Sequence, residues 1–136
     1  MNDQPIILYV EDDVMSRRMM RILLESRLKI QHLTIFANSE NFLEQVEALD
    51  PKPTVIFLDI HMKPYSGFEM LDMLRALPWT VHTRILALTA SVMHEEVQQL
   101  MQAGFDGCLA KPIDLDTFPE TLQRIVVGEQ VWRVLS

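Results

Sequence analysis

Two short apolar runs, each ending in carboxylates, constrain this chain more than any other feature. Residues 6–10, Ile-Ile-Leu-Tyr-Val, pass directly into Glu11, Asp12 and Asp13. Residues 54–58, Thr-Val-Ile-Phe-Leu, end in Asp59. Apolar runs of this length, bounded by polar residues, fit strands buried on both faces. If the two strands are parallel neighbours, their acidic ends meet in one crevice. Like charges that close resist joint ionisation unless a cation or an opposite charge sits among them.

The rest of the chain alternates in the same way. Met15, Met19, Ile22 and Leu23 recur at the spacing of an amphipathic helix after the first strand. Residues 33–36 read as a second strand. Ser39 is placed to cap a second helix that buries Phe42, Leu43, Val46 and Leu49. Gly67 opens a third helix carrying Met70, Leu71, Leu74 and Leu77, which Pro78 stops. Residues 84–88 form a fourth strand, running into Thr89. Ser91 is placed to cap a fourth helix with Met93, Val97, Leu100 and Met101 inward, ended by Gly104. Residues 106–110 hold a weak fifth strand. A last helix carries Leu115, Phe118, Leu122 and Ile125. It starts near Asp116, so that Pro119 falls in its first turn.

Five strands alternating with five helices predict an α/β fold, a doubly wound parallel sheet with helices on both faces. Ligands of such sheets bind beyond the carboxyl ends of the strands, where the strand order reverses. Glu11, Asp12, Asp59 and Thr89 fall there. With 136 residues the chain supports one domain, a core over about 5–127 and a tail over 128–136. The apolar tail, Val131-Trp132-Arg133-Val134-Leu135, either packs back on the domain or meets a partner.

Composition excludes several functions. A formal net charge of −7 argues against nucleic acid as a direct partner and suits contact with basic protein surfaces or cations. No apolar stretch approaches a membrane span. One cysteine, Cys108, precludes an intrachain disulfide and fits a reducing cytoplasm.

The strand-end residues suggest specific chemistry. Carboxylate oxygens are hard ligands suited to Mg²⁺. Asp59 could then act as a nucleophile toward phosphorus. Lys111 would neutralise phosphoryl oxygens and Thr89 would hydrogen-bond one of them. Taken alone, Thr89 reads as a helix-entry residue and Lys111 as a solvated charge; their spacing lifts them. Asp13 reads as a turn or cap residue. The methionines read as packing, and His32, His82 and His94 as surface residues.

Five motifs in order make a family resemblance plain. They are residues 7–13, residues 58–62 with Gly67-Phe68-Glu69, residues 87–90, residues 104–107, and Ala110-Lys111-Pro112. Asp59 and Thr89 are 30 residues apart, Thr89 and Lys111 are 22 apart. The chain resembles the response-regulator receiver domain of two-component signalling over roughly residues 5–127. The resemblance implies a flavodoxin-like five-stranded sheet in the order 2-1-3-4-5. It implies Asp59 as phosphoacceptor, with Thr89 as switch hydroxyl and Lys111 as phosphate-binding lysine. It implies a Mg²⁺ site of Glu11 acting through water, Asp12, Asp59 and the backbone carbonyl of His61. The Lys111-Pro112 bond would be cis.

The implied partners are a histidine kinase or histidine phosphotransfer protein as donor, and a downstream protein met through residues 91–127, a face that could also pair two copies as a homodimer. The implied activity is self-catalysed phosphoryl acceptance and slow autodephosphorylation, not turnover of an external substrate. A fold-retaining module that signals by constitutive contacts, without phosphorylation, is the alternative. A Mg²⁺-dependent phosphohydrolase ranks last, because it needs a second Asp where His61 stands.

Two positions depart from the family pattern. Lys63 occupies the place of the usual proline, which follows instead as Pro64. Cys108 stands where the family has Tyr or Phe, the aromatic that swings inward as the threonine moves. Cysteine is too small for that part, so output would run through backbone movement or be weak.

Overall fold

The computed structural model describes residues 4–90 and 93–132. Its strands are β1 (Ile6–Val10), β2 (His32–Phe36), β3 (Val55–Asp59), β4 (Arg84–Thr89), β5 (Gly107–Ala110) and β6 (Val131–Trp132). Its helices are α1 (Val14–Arg21), α2 (Phe42–Glu47), α3 (Gly67–Arg75), α4 (His94–Ala103) and α5 (Phe118–Val126). All strand pairings are parallel, in the order β2-β1-β3-β4-β5-β6. The order reverses between β1 and β3, which opens a crevice beyond their carboxyl ends.

Alternation along the strands divides the core. Leu8, Val10, Ile56 and Leu58 face Phe42, Val46, Met70, Leu74 and Leu100 on the α2, α3 and α4 side. Ile7, Tyr9, Val55 and Phe57 face Leu23, Leu24, Leu122 and Ile125 on the α1 and α5 side. Both faces of β3 are fully buried, as its continuous apolar run requires.

The doubly wound parallel sheet agrees with the sequence reading, but a sixth strand joins it. Gly107 and Cys108 pair with Val131 and Trp132. A Cβ on Gly107 would lie 2.3 Å from the Val131 carbonyl oxygen, so this approach needs glycine. The tail through Trp132 therefore packs back on the domain; residues 133–136 lie outside the described residues.

The first helix differs from its predicted face. Of the predicted face, Leu23 is buried but Met15, Met19 and Ile22 are exposed, and Met20 and Leu24 are buried instead. From Ile22 to Arg27 the helix widens into π turns, and Leu28 N–H donates to Leu23 O. That widening shifts the phase on which the 3.6-residue spacing depends.

Capping also differs. Ser39 does not cap α2, which follows Asn41. It is buried, and its Oγ donates to Tyr65 O at 2.9 Å and accepts from Tyr65 N–H at 2.8 Å. Leu43, predicted inward, is exposed. The predicted cap Ser91 lies outside the described residues; α4 starts at His94, and Met93 and Met101 are exposed. Helix α5 starts at Phe118, slightly later than predicted, with Pro119 in its first turn.

Candidate functional site

Each carboxylate reaches the crevice because its strand stops there. Glu11 follows β1 and is fully buried; Asp59 is the last residue of β3 and is buried; Asp12 is exposed at the mouth. Glu11, Asp12 and Asp59 each offer a carboxylate oxygen within 4.8 Å of the others. Asp13 turns away to cap α1, accepting from Ser16 N–H and Ser16 Oγ–H at 2.8 Å each. Those bonds, the side-chain one first, hold its carboxyl below the usual range.

A cation resolves the like-charge problem. Lys111 Nζ lies 2.8 Å from Glu11 Oε1 and 3.3 Å from Asp59 Oδ2. Burial alone would lower the lysine's pKa. The hydrogen bond from Lys111 to Glu11 and the charges of Asp59 and Glu11 outweigh it, and the pKa is raised. The Lys111 amide donates to Thr89 O at 2.9 Å, which ties the ends of β4 and β5 together. Lys111-Pro112 is cis, and so is Lys63-Pro64 in the loop after β3.

The loop after Asp59 is fixed from several sides. His61 N–H donates to Asp59 Oδ1 at 3.1 Å and orients the carboxylate. Gly67 packs so closely that an added Cβ would lie 2.9 Å from Ile60 Cα and 3.0 Å from Asp59 O. Ser66 caps α3 reciprocally with Glu69. The buried Ser39 holds Tyr65 in the same loop. Thr89 is buried at the end of β4 and, with His61, Phe68 and Leu100, lines a cleft of about 400 Å³.

The structure thus brings Glu11, Asp12, Asp59 and Lys111 together, with Thr89 and His61 beside them. The sequence reading missed three neighbours. Tyr9 O–H donates to Glu11 Oε1, Arg17 Nη1 donates to Glu11 O, and Ser39 braces the loop after Asp59. Only Tyr9 left a signal: a polar atom inside an apolar run, two residues before Glu11 and so on its face. Cys108 is fully buried on β5, between Ala87 and Trp132 in register.

Fold and site together define a parallel α/β domain whose switch-point crevice holds three carboxylates and one ammonium. The chain belongs to the response regulator receiver domain family, whose sequence pattern it matches over residues 7–123. It is 35% identical over 132 residues to a nitrate/nitrite response regulator homolog of Haemophilus influenzae, covering 96% of this chain and 61% of that protein. The chain thus spans about three fifths of that relative's length. It superposes on chemotaxis response regulator CheY4 of Vibrio cholerae with TM-score 0.79 at 27% identity, covering 90% of this chain and 98% of that one. The receiver domain of a Pseudomonas aeruginosa sensor histidine kinase matches with TM-score 0.78 at 25% identity, covering 92% and 99%. That structure has a magnesium ion coordinated in its active site cleft. Among the described residues, no helix is long and apolar enough to cross a membrane.

Proposed function

We propose that this domain is a phosphoacceptor: Asp59 takes a phosphoryl group from a phosphohistidine of a histidine kinase or phosphotransfer protein. The observation that carries this reading is Lys111 seated between Glu11 and Asp59 at the switch point. An ammonium there pairs with carboxylates at rest and with phosphoryl oxygens when they arrive.

One Asp59 oxygen forms a bond to phosphorus as the phosphorus–nitrogen bond of the donor breaks. The donor imidazole leaves with that electron pair. His61 N–H keeps the other Asp59 oxygen engaged, so the attacking one is presented consistently. Thr89 stands at the end of β4 to hydrogen-bond a phosphoryl oxygen, and Lys111 moves onto another.

The donor set fits Mg²⁺, whose ligands are oxygens and which keeps several waters. Asp12 and Asp59 would hold it directly, Glu11 through water, and His61 through its carbonyl. Bound there, it would supply charge neutralisation for the phosphoryl oxygens. The magnesium in the Pseudomonas aeruginosa receiver supports this assignment.

The exposed apolar residues Val14, Met15, Met19 and Ile22 begin two residues after Asp12 and are interleaved with Arg17, Arg18 and Arg21. They suit docking of the donor protein. Loss of the acyl phosphate is slow and self-catalysed, and no external substrate is turned over. The setting is cytoplasmic. Output passes to a downstream protein through residues 91–127.

Incubation with Mg²⁺ and acetyl phosphate, followed by mass measurement, tests the reading. One phosphoryl adduct on the wild type, absent from Asp59→Asn, is expected. No adduct on the wild type overturns it in favour of a phosphorylation-independent interaction module; an undiminished adduct on Asp59→Asn overturns Asp59 as the acceptor.

A further inference from the structure

Tyr9 sits on β1 two residues before Glu11, so both side chains leave the same face of the sheet. Its ring is 1% exposed among Leu23, Leu24 and Phe57 in the core. Its hydroxyl donates to Glu11 Oε1 at 3.1 Å. Lys111 Nζ is 2.8 Å from that same oxygen, and Asp13 N–H donates to Glu11 Oε2 at 3.1 Å.

These donors differ in what the proposed reaction asks of them. Lys111 has to turn toward an arriving phosphoryl group. Asp13 N–H is fixed by the start of α1. Tyr9 has nowhere else to go, because its ring is enclosed. When Lys111 leaves, a fully buried carboxylate loses a charged partner, and a buried charge short of partners is strongly disfavoured. It would then swing out or attract the lysine back.

We propose that Tyr9 is a positioning residue, whose hydroxyl keeps the Glu11 carboxylate aimed into the crevice while Lys111 moves to the phosphoryl group. This rests on the phosphoacceptor reading above. The Tyr9 hydroxyl meets a carboxylate oxygen, which accepts, so Tyr9 is the donor of this bond. A tyrosine with only a packing role would contribute to stability and leave the metal site alone.

The experiment compares wild type and Tyr9→Phe at one pH, by Mg²⁺ titration calorimetry and by acetyl phosphate labelling across Mg²⁺ concentrations. Partners that orient metal ligands typically change affinity by about 10-fold or more. Tyr9→Phe is expected to weaken Mg²⁺ binding about 10-fold and to shift half-saturation of labelling by the same factor. The labelling rate at saturating Mg²⁺ falls as well, because Glu11 lacks this donor as Lys111 turns to the phosphoryl group. On a Glu11→Gln background, Tyr9→Phe changes Mg²⁺ affinity by less than about two-fold, because the coupled partner is gone.

Equal Mg²⁺ affinities in wild type and Tyr9→Phe overturn the proposal, and so does an equal loss on the Glu11→Gln background. If Tyr9→Phe does not fold, 3-fluorotyrosine in a Tyr65→Phe chain labels Tyr9 alone, since the sequence holds two tyrosines. Its fluorine resonance is expected to move on Mg²⁺ saturation; a resonance that stays put overturns the proposal. A wild type that is labelled on Asp59 but insensitive to Tyr9 sinks this inference alone. A wild type that is never labelled sinks the phosphoacceptor reading.

Discussion

Lys111 Nζ sits 2.8 Å from Glu11 Oε1, so a carboxylate with no exposure to solvent is held by an ammonium that reaches in from the loop after β5. The pair is asymmetric in cost. Removing one partner of a buried ion pair strands the other, at about 3–5 kcal/mol for full burial. The Lys111 side chain is 20% exposed, which places Lys111→Met near the lower end of that range. The expected result in EDTA is a loss of about 3 kcal/mol by urea unfolding. Millimolar Mg²⁺ recovers much of it, since a divalent ion binding the native state replaces the missing charge. Labelling by acetyl phosphate falls at least about ten-fold. Full stability of Lys111→Met in EDTA would contradict this account.

The same pair sets a pH dependence. The pKa of Lys111 is raised in the folded chain. Its contribution is therefore complete below the unfolded lysine value of about 10.4 and is lost as pH rises through the folded value. Wild type should lose stability along that alkaline limb, and Lys111→Met should show a flatter one. Urea midpoints measured from neutral to strongly alkaline pH check the difference.

Gly67 governs the loop that follows Asp59. Its missing Cβ leaves room for Ile60 and for Asp59 O, both within 3.0 Å of where that atom would stand. In Gly67→Ala the backbone after Asp59 has to shift, at an expected cost of about 1–3 kcal/mol. His61 N–H then loses its alignment on Asp59 Oδ1, so labelling slows as well. Parallel urea and labelling series test both halves. A stable Gly67→Ala with unchanged labelling would show that the close approach does not position Asp59.

The site was more legible than its surroundings, for a physical reason. Glu11, Asp59 and Thr89 each end or directly follow a strand, and the end of an apolar run is visible in one dimension. The partners of Ser39 were not, because Tyr65 lies 26 residues away and only the folded loop brings them together. The exposed stripe of α1 was misread because two apolar stripes share one helix, Met15-Met19-Ile22 and Met20-Leu23-Leu24. Spacing alone cannot choose between them, because both recur at intervals of three and four residues. The sixth strand escaped because two residues carry no periodicity, and its pairing depends on a glycine in another strand.

The α1 stripe makes a prediction that separates docking from chemistry. Met15 is 60% exposed, so Met15→Glu should leave stability within about 0.5 kcal/mol. Labelling by acetyl phosphate, which needs no docking surface, should not change. Phosphotransfer from a phosphorylated histidine donor protein should slow by about ten-fold or more, because a charge then sits in the centre of the apolar contact. A donor that transfers equally well to both chains places its docking surface elsewhere.

Strand β6 lies beyond residues 7–123, the span of the family pattern, and sets Trp132 beside Cys108. Trp132 packs against the half of the core that holds Cys108, Leu100 and Phe105, so the added strand places an indole next to the small cysteine. Because a Cβ at Gly107 would fall 2.3 Å from Val131 O, Gly107→Ala cannot keep this pairing unchanged. Trp79 and Trp132 are the two tryptophans, so Trp79→Phe leaves Trp132 as the sole indole reporter. In that background Gly107→Ala should shift Trp132 emission to longer wavelength as the ring meets water. It should cost about 1–3 kcal/mol in urea, as strain at a tight contact does. Unchanged emission would mean that β6 accommodates the methyl, and that Trp132 is held by its packing against the core and not by the strand pairing.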